Sequence, residues 1–151
     1  YYKKVLDLGF DAVNSRGMDR ASVLVGGVAS AIISKAFYKI FKVGMLRKYD
    51  HEKVIENMYI PEDGHDNIFP TIVPNWDRSP REGTMASIDY NCTPQVFEKD
   101  VKMVLDLVKN KTPQHKIIFL QAWNEWAEGN HVEPDLRYGH GYLDVLTKYF
   151  K

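Results

Sequence analysis

Three short apolar runs recur along the chain, and stretches with helical spacing fill the intervals between them. Phe10 to Asn14, Ile68 to Pro74 and Ile117 to Leu120 read as strands. The last run has no polar alternation, which predicts a strand buried on both faces, as in a parallel sheet covered by helices. Pro70 and Pro74 argue against a central ladder position at those residues. Helical patterns run from Tyr1 to a stop at Gly9, from Val28 to Lys42, from Tyr49 to Met58, from Pro94 to Lys109, and from near Gly141 to Phe150. Pro94–Lys109 is the clearest: Thr93 suits the N-cap, Pro94 suits the first helical position, and Val96, Phe97, Val101, Val104, Leu105 and Val108 form one stripe. Asp50 is the N-cap candidate of the helix before it, and the face carrying Glu52 and Glu56 is expected to be solvated. Residues 15–20, 61–67 and 78–91 read as loops. Strands alternating with helices predict an α/β fold with parallel strands.

Ala21 to Ser34 carries no charge, and Lys35, Lys39 and Lys42 follow. A membrane span needs roughly 18 apolar residues or more, and this run is shorter and broken by Gly26 and Gly27. It predicts an amphipathic or buried helix whose Ile32, Ile33, Ala36, Phe37, Ile40 and Phe41 pack on a neighbour. The expectation is no stable membrane span, with a membrane-contacting helix as the alternative.

Composition narrows the partners. The 151 residues are 44% apolar and 26% charged, ordinary for a globular domain. Twenty basic residues balance twenty acidic ones. With no basic excess to neutralise phosphates, nucleic acid is not an expected partner. Cys92 is the single cysteine, which excludes an internal disulfide.

The chemistry concentrates just past the third strand. Glu125 and Glu128 lie there with two residues between them, flanked by Trp123 and Trp126. Indoles stack on pyranose faces, and a pair of carboxyl groups serves a glycosyl transfer through an oxocarbenium-like transition state. An E-x-x-E pair also occurs as a solvated helix face or a cap network. Asn124 would orient Glu125 or a sugar hydroxyl. Past the second strand, Trp76 is either a sugar platform or a packing residue. Asp77, Arg78 and Arg81 either hold hydroxyls or a phosphate or form a loop ion pair. Asn14 is a further, weaker candidate. His131, Glu133 and Asp135 invite a metal, but Pro134 between them favours binding or structure, with Glu133 a substrate contact. No metal and no cofactor are expected. No Gly-rich phosphate cradle or D-x-D pattern for a nucleotide-sugar donor is evident.

The string AWNEWAEGNHVEPD (Ala122 to Asp135), followed by YGHGYLDVL, resembles the WbsX-type family of bacterial polysaccharide-biosynthesis proteins, which is related to glycoside hydrolase family 99, the endo-α-mannosidases. GFDAVN, YDHEKVIENM and FPTIVPNWDRSPR upstream support it in the family's order. The resemblance implies a (β/α)8 TIM-type barrel, which typically needs ~250 residues, with this chain as the C-terminal portion of one domain. It implies that Glu128 is the general acid/base and that Glu125 is the carboxylate assisting attack through a neighbouring hydroxyl. Ala127 departs from family 99, which carries histidine there, so mannosidase specificity does not carry over. The expected protein is a cytoplasmic, carbohydrate-active enzyme. It would cleave or transfer a glycosidic bond in a bacterial surface polysaccharide (lipopolysaccharide O-antigen or capsule), with the missing barrel half as a further partner. The alternatives are a non-catalytic glycan-binding module, a nucleotide-sugar-dependent glycosyltransferase, or an assembly role in which residues 21–41 dock a partner or membrane.

Overall fold

The computed structural model describes residues 2–150. The elements in chain order are α1 (Tyr2–Leu6), β1 (Val13–Ser15), α2 (Met18–Gly26), α3 (Val28–Phe41), β2 (Arg47–Asp50), α4 (His51–Glu56), β3 (Ile68–Ile72), α5 (Ser79–Glu82), β4 (Ser87–Tyr90), α6 (Pro94–Val108), β5 (Phe119–Leu120), β6 (Asn124–Glu125), β7 (Asn130–His131) and α7 (Gly141–Tyr149). Single 3₁₀ turns lie at Pro61–Gly64, Gly83–Met85, Pro113–His115 and Trp126–Glu128.

The three strands expected from the apolar runs pair in parallel, in the order β1-β3-β5. The chain is therefore a mixed α/β fold built on parallel strands. Pro70 does sit inside the middle strand, against the expectation. β1 pairs with residues 68–70 of β3 and β5 with residues 71–72, so the missing donor falls where the ladder changes partner. The third run is also shorter and more open than expected. β5 holds two residues at the sheet edge, and Phe119 is 45% exposed because no strand or helix of this chain covers its outer side.

Two apolar clusters pack beside the sheet. The larger joins Ile72 of β3, Val132, the stripe Phe97, Val101, Val104 and Val108 of α6, and Tyr142 and Val145 of α7. The α6 start is as expected: the Thr93 hydroxyl accepts from Val96 N–H at 3.2 Å, and Pro94 opens the helix. Asp100 is buried in that stripe and accepts from Val73 N–H at 2.9 Å, tying α6 to the end of β3. Burial raises its carboxyl to about 6, against the hydrogen bonds from Tyr59 and Val73. The second cluster holds Met18, Ala21, Tyr49, Val54, Met58, Val73 and Trp76.

Other expectations need correction. The helix expected over Tyr49–Met58 is the short α4, because Tyr49 belongs to β2, which pairs in parallel with β4. Asp50 caps α4, accepting from Glu52 N–H at 3.2 Å. Glu52 is ion-paired to Lys99 across the helix interface, so its face is not simply solvated. The expected loop at 78–91 contains α5 and β4, and the expected loop at 15–20 contains the start of α2. Residues 21–41 form two helices with a 99° bend between them at Gly27, whose φ of 79° lies in the region only glycine enters freely. Among the described residues of α3 none is buried, and Ile32, Ile33 and Phe41 are exposed, in contrast to the packing expected of them.

Candidate active site

Because β1, β3 and β5 run parallel, the residues that follow them gather at one end of the sheet. Arg16 Nη1 donates to Gln121 Oε1 at 3.1 Å there, and its guanidinium lies 5.4 Å from the Trp76 ring centroid. Asn14 reaches across the same edge to Thr71 Oγ1 at 2.8 Å, which gives it a structural role between strands. A cis peptide joins Gln121 to Ala122 as the chain leaves β5.

The Glu-rich segment then folds into an antiparallel hairpin. Asn124 pairs with His131 and Glu125 with Asn130, and Trp126–Glu128 makes the turn. Gly129 closes the turn at φ 53°. A Cβ there would meet Asp77 Cβ at 2.7 Å, so both the backbone conformation and the close approach require glycine. Two asparagines lock the hairpin to the sheet end. Asn75 accepts from His131 N–H at 2.9 Å and donates to His131 O at 3.3 Å. Buried Asn130 accepts from Ala122 N–H at 2.6 Å. Asp77 N–H donates to Glu128 O at 2.8 Å, and its carboxylate accepts from Ser79 N–H at 2.8 Å, which starts α5.

α5 carries the cations that meet the two glutamates. Arg81 Nη1 lies 2.7 Å from Glu128 Oε1, and its Nη2 lies 3.3 Å from Glu125 Oε1. One guanidinium therefore bridges both carboxylates, and its fork geometry suits two acceptors at once. Arg78 pairs with Glu82 at 2.5 Å and approaches Glu128 at 3.5 Å. The Glu128 side chain is 12% exposed and that of Glu125 42%, so the two acids occupy different depths. In this structure Arg78 and Arg81 are both ion-paired with acids.

The aromatic residues divide. Trp123 is exposed beside the hairpin, and Trp126 is 49% exposed while stacking on His131 at 3.7 Å between centroids. Trp126 Nε1 donates to Glu133 Oε2 at 2.8 Å, which accounts for Glu133. Trp76 is buried, with Nε1 donating to Ser87 Oγ at 3.2 Å, and the Arg78 guanidinium is 5.8 Å from its ring. It packs rather than offering an open face. Asn124 is exposed on β6. His131 Nε2 faces Asp135 Oδ2 at 3.3 Å while Glu133 turns to Trp126, so these three do not converge on one point. A cleft of about 870 Å³ opens beside the hairpin, walled by Trp76, Asp77, Trp126, His131 and Tyr142. Glu125 and Glu128 lie outside its wall, on the side of the turn facing α5.

Two groups behind this cleft were not apparent from the sequence. His51 and Asp89 form a fully buried pair, Nδ1 to Oδ2 at 2.9 Å, and His51 Nε2 faces Val73 O at 3.0 Å. Both ring nitrogens thus face acceptors. Burial pushes the His51 pKa down, but the bonds to Asp89 and Cys92 outweigh it and hold the pKa well above the ordinary value. Burial raises Asp89 against the pull of His51, so the pair keeps one proton between them. No spacing in the sequence links His51 to Asp89. Asn75 and Asn130 were equally hidden, because their role depends on the hairpin.

The family profile described as Glycosyltransferase WbsX matches residues 3–146. The chain belongs to the WbsX glycosyltransferase family. That membership makes the group it belongs to carbohydrate-active. Two proteins of Xanthomonas campestris pv. campestris, from strains B100 and ATCC 33913 and both described as Uncharacterized protein WxcX, are each 35% identical over 82 residues. The aligned stretch is 54% of this WbsX-family chain and 12% of either relative. A solved Glycoside hydrolase-like protein aligns with 77% of this chain and 33% of its own, at 17% identity and a TM-score of 0.46.

Proposed function

We propose that this WbsX-family chain forms part of an enzyme that cleaves or transfers a glycosidic bond in a bacterial surface polysaccharide, using Glu125 and Glu128. The observation that carries the reading is the Arg81 bridge, which brings both carboxylates to one guanidinium at the end of a parallel sheet. Glu128, the deeper acid, protonates the leaving oxygen. Glu125, the more open one, assists attack on the anomeric carbon directly or through a neighbouring hydroxyl. General-acid help of this kind is worth roughly 10²–10⁴ in rate. A bound sugar must displace Arg81 from Glu128 Oε1, and the freed guanidinium then remains beside Glu125. Trp123 and the open part of Trp126 supply stacking faces, with Asn124, Asp77, Arg78 and Glu133 around them. Trp76 supports the cleft wall from behind.

The outer edges of β1 and β5, unpaired among the described residues, support the reading that further strands add here, making this chain the later part of a (β/α)8 barrel. The location we propose is the cytoplasm. The substrate class is an O-antigen or capsular oligosaccharide. The test is the Glu128→Gln variant. Loss of turnover by about a hundredfold or more with glycan affinity retained, measured by calorimetry, is the expected result. Turnover that survives the substitution contradicts it. Glycan binding without turnover in either form would favour a binding module.

A further inference from the structure

The most unusual surface of the molecule lies away from the glutamates, on α3. No single helix is long and apolar enough to cross a membrane among the described residues. α3, with 14 residues, is about 21 Å long, shorter than a hydrocarbon core of ~30 Å. Yet its apolar side chains are turned outward. At about 100° per residue, Ser34, Lys35 and Tyr38 share one side of the helix, and Ile33, Ala36 and Ile40 share the opposite side. The first set faces the body of the protein, lining a shallow space of about 320 Å³ with Ser22, Val23 and Met85. The second set is exposed: Ile33 by 58% and Ile40 by 70%, with Ile32 and Phe41 open beside them. This is the reverse of an ordinary surface helix, whose apolar stripe faces the core.

Charge is segregated onto the same segment. Between Asp19 and Asp50 the chain has no acidic residue, and its charged residues are Arg20, Lys35, Lys39, Lys42, Arg47 and Lys48. The protein as a whole has no net charge, so this basic run stands out. Lys35, Lys39 and Lys42 fall outside the apolar arc, from where long side chains can reach towards headgroups. α2 anchors the device through Met18 and Ala21, both buried in the second cluster, and the 99° bend carries α3 away from it.

We infer that α3 is an interfacial helix that lies on an anionic lipid surface, its Ile32, Ile33, Ile40 and Phe41 inserted at the acyl boundary and its lysines at the headgroups. Apolar area and basic charge act together in such binding. The charge argues for anionic lipid over an apolar protein groove, which would offer the lysines no anionic partner; on the segment itself Lys42 meets only the Tyr38 ring, 5.9 Å from its centroid. An enzyme acting on a surface polysaccharide gains from this placement, but the inference stands on the helix alone.

The test is sedimentation of the full-length natural protein with phosphatidylcholine vesicles, with and without phosphatidylglycerol, at low and high salt. Binding to anionic vesicles that weakens with salt is expected. Ile33→Asp with Ile40→Asp should reduce it about a hundredfold. Because both side chains are exposed, circular dichroism should show an unchanged fold. Lys35→Gln, Lys39→Gln and Lys42→Gln, which leave the apolar face intact, should each reduce it about fivefold. No binding of the folded protein to anionic vesicles overturns the inference. So does equal binding by the aspartate variant, or self-association through these residues in place of vesicle binding.

Discussion

α6 and α3 are both apolar-rich helices of similar length, and the fold treats them in opposite ways. The 15 residues of α6 bury a full stripe and a carboxylate against β3 and α7, whereas none of the residues of α3 whose burial is described is buried. The difference lies in pattern, not in apolar content. In α6 the apolar residues recur at three and four positions, with Lys and Asp filling the rest, so one face finds the sheet. In α3 the apolar residues spread around more than half of the helix, and the narrow side holding Ser34 and Tyr38 is the one turned to the body. Hydrophobic residues stabilise a fold only where another element covers them. The comparison therefore separates a scaffold from a surface meant for something else.

The contrast can be broken most sharply at Phe97. Phe97→Ala should cost about 3–5 kcal/mol in urea unfolding, because a ring buried between α6 and α7 leaves a cavity. A comparable loss, about 3–5 kcal/mol, is expected from His51→Ala, which leaves Asp89 buried without its partner.

That pair also sets a pH dependence. The folded state holds the His51–Asp89 proton to higher pH than the unfolded chain, whose histidine releases it near the ordinary value of about 6.5. The pair's contribution is fully present below that pH and is lost as pH rises towards the raised folded pKa. The unfolding free energy should fall by up to about 1.4 kcal/mol per pH unit in this window. Unfolding curves from pH 6 upward test it, and His51→Gln with Asp89→Asn should flatten the slope.

Smaller effects are expected at the hairpin. Gly129→Ala should destabilise by about 1–3 kcal/mol, since φ is positive and Asp77 occupies the Cβ position. Arg81→Ala should change stability by no more than about 1 kcal/mol, because the guanidinium is half-exposed. Turnover in the same variant should drop about tenfold or more, as Glu125 loses the guanidinium that stays beside it when sugar binds. Smallest of all, Ile40→Ala in α3 should stay within about 0.5 kcal/mol by thermal denaturation. A loss there of the size expected at Phe97 would erase the contrast between the helices.

Long-range order was legible in the sequence wherever periodicity or caps carried it. The parallel strands, α6 with Thr93 and Pro94, the Asp50 cap and α7 all follow from local pattern. The elements that stayed hidden are those made by pairing. β2 and β4 are four residues each and depend on pairing with one another and on contacts with the segment after β3, and β6 and β7 exist through Gly129 and the two asparagines. The third apolar run misled for a related reason. Ile117 to Phe119 have the composition of a buried strand, but whether the faces are covered depends on neighbours, and among the described residues no strand pairs with the outer edge of β5. At the site, Glu125, Glu128 and the tryptophans stood out by residue type. Arg81 stood out as a candidate too, but a loop arginine could not be divided between holding a ligand and pairing with an acid until α5 aimed it at both glutamates. Trp76 could not be divided between platform and packing before its burial was known.

The most direct test of the two-glutamate account is mass-spectrometric detection of glycan cleavage or transfer. The natural full-length protein would be offered α-mannosides and bacterial O-polysaccharide fragments beside Glu125→Gln and Glu128→Gln. Product from the parent that disappears in both variants is the predicted result. A folded parent that binds glycan yet forms no product, or variants that still turn it over, would contradict the account.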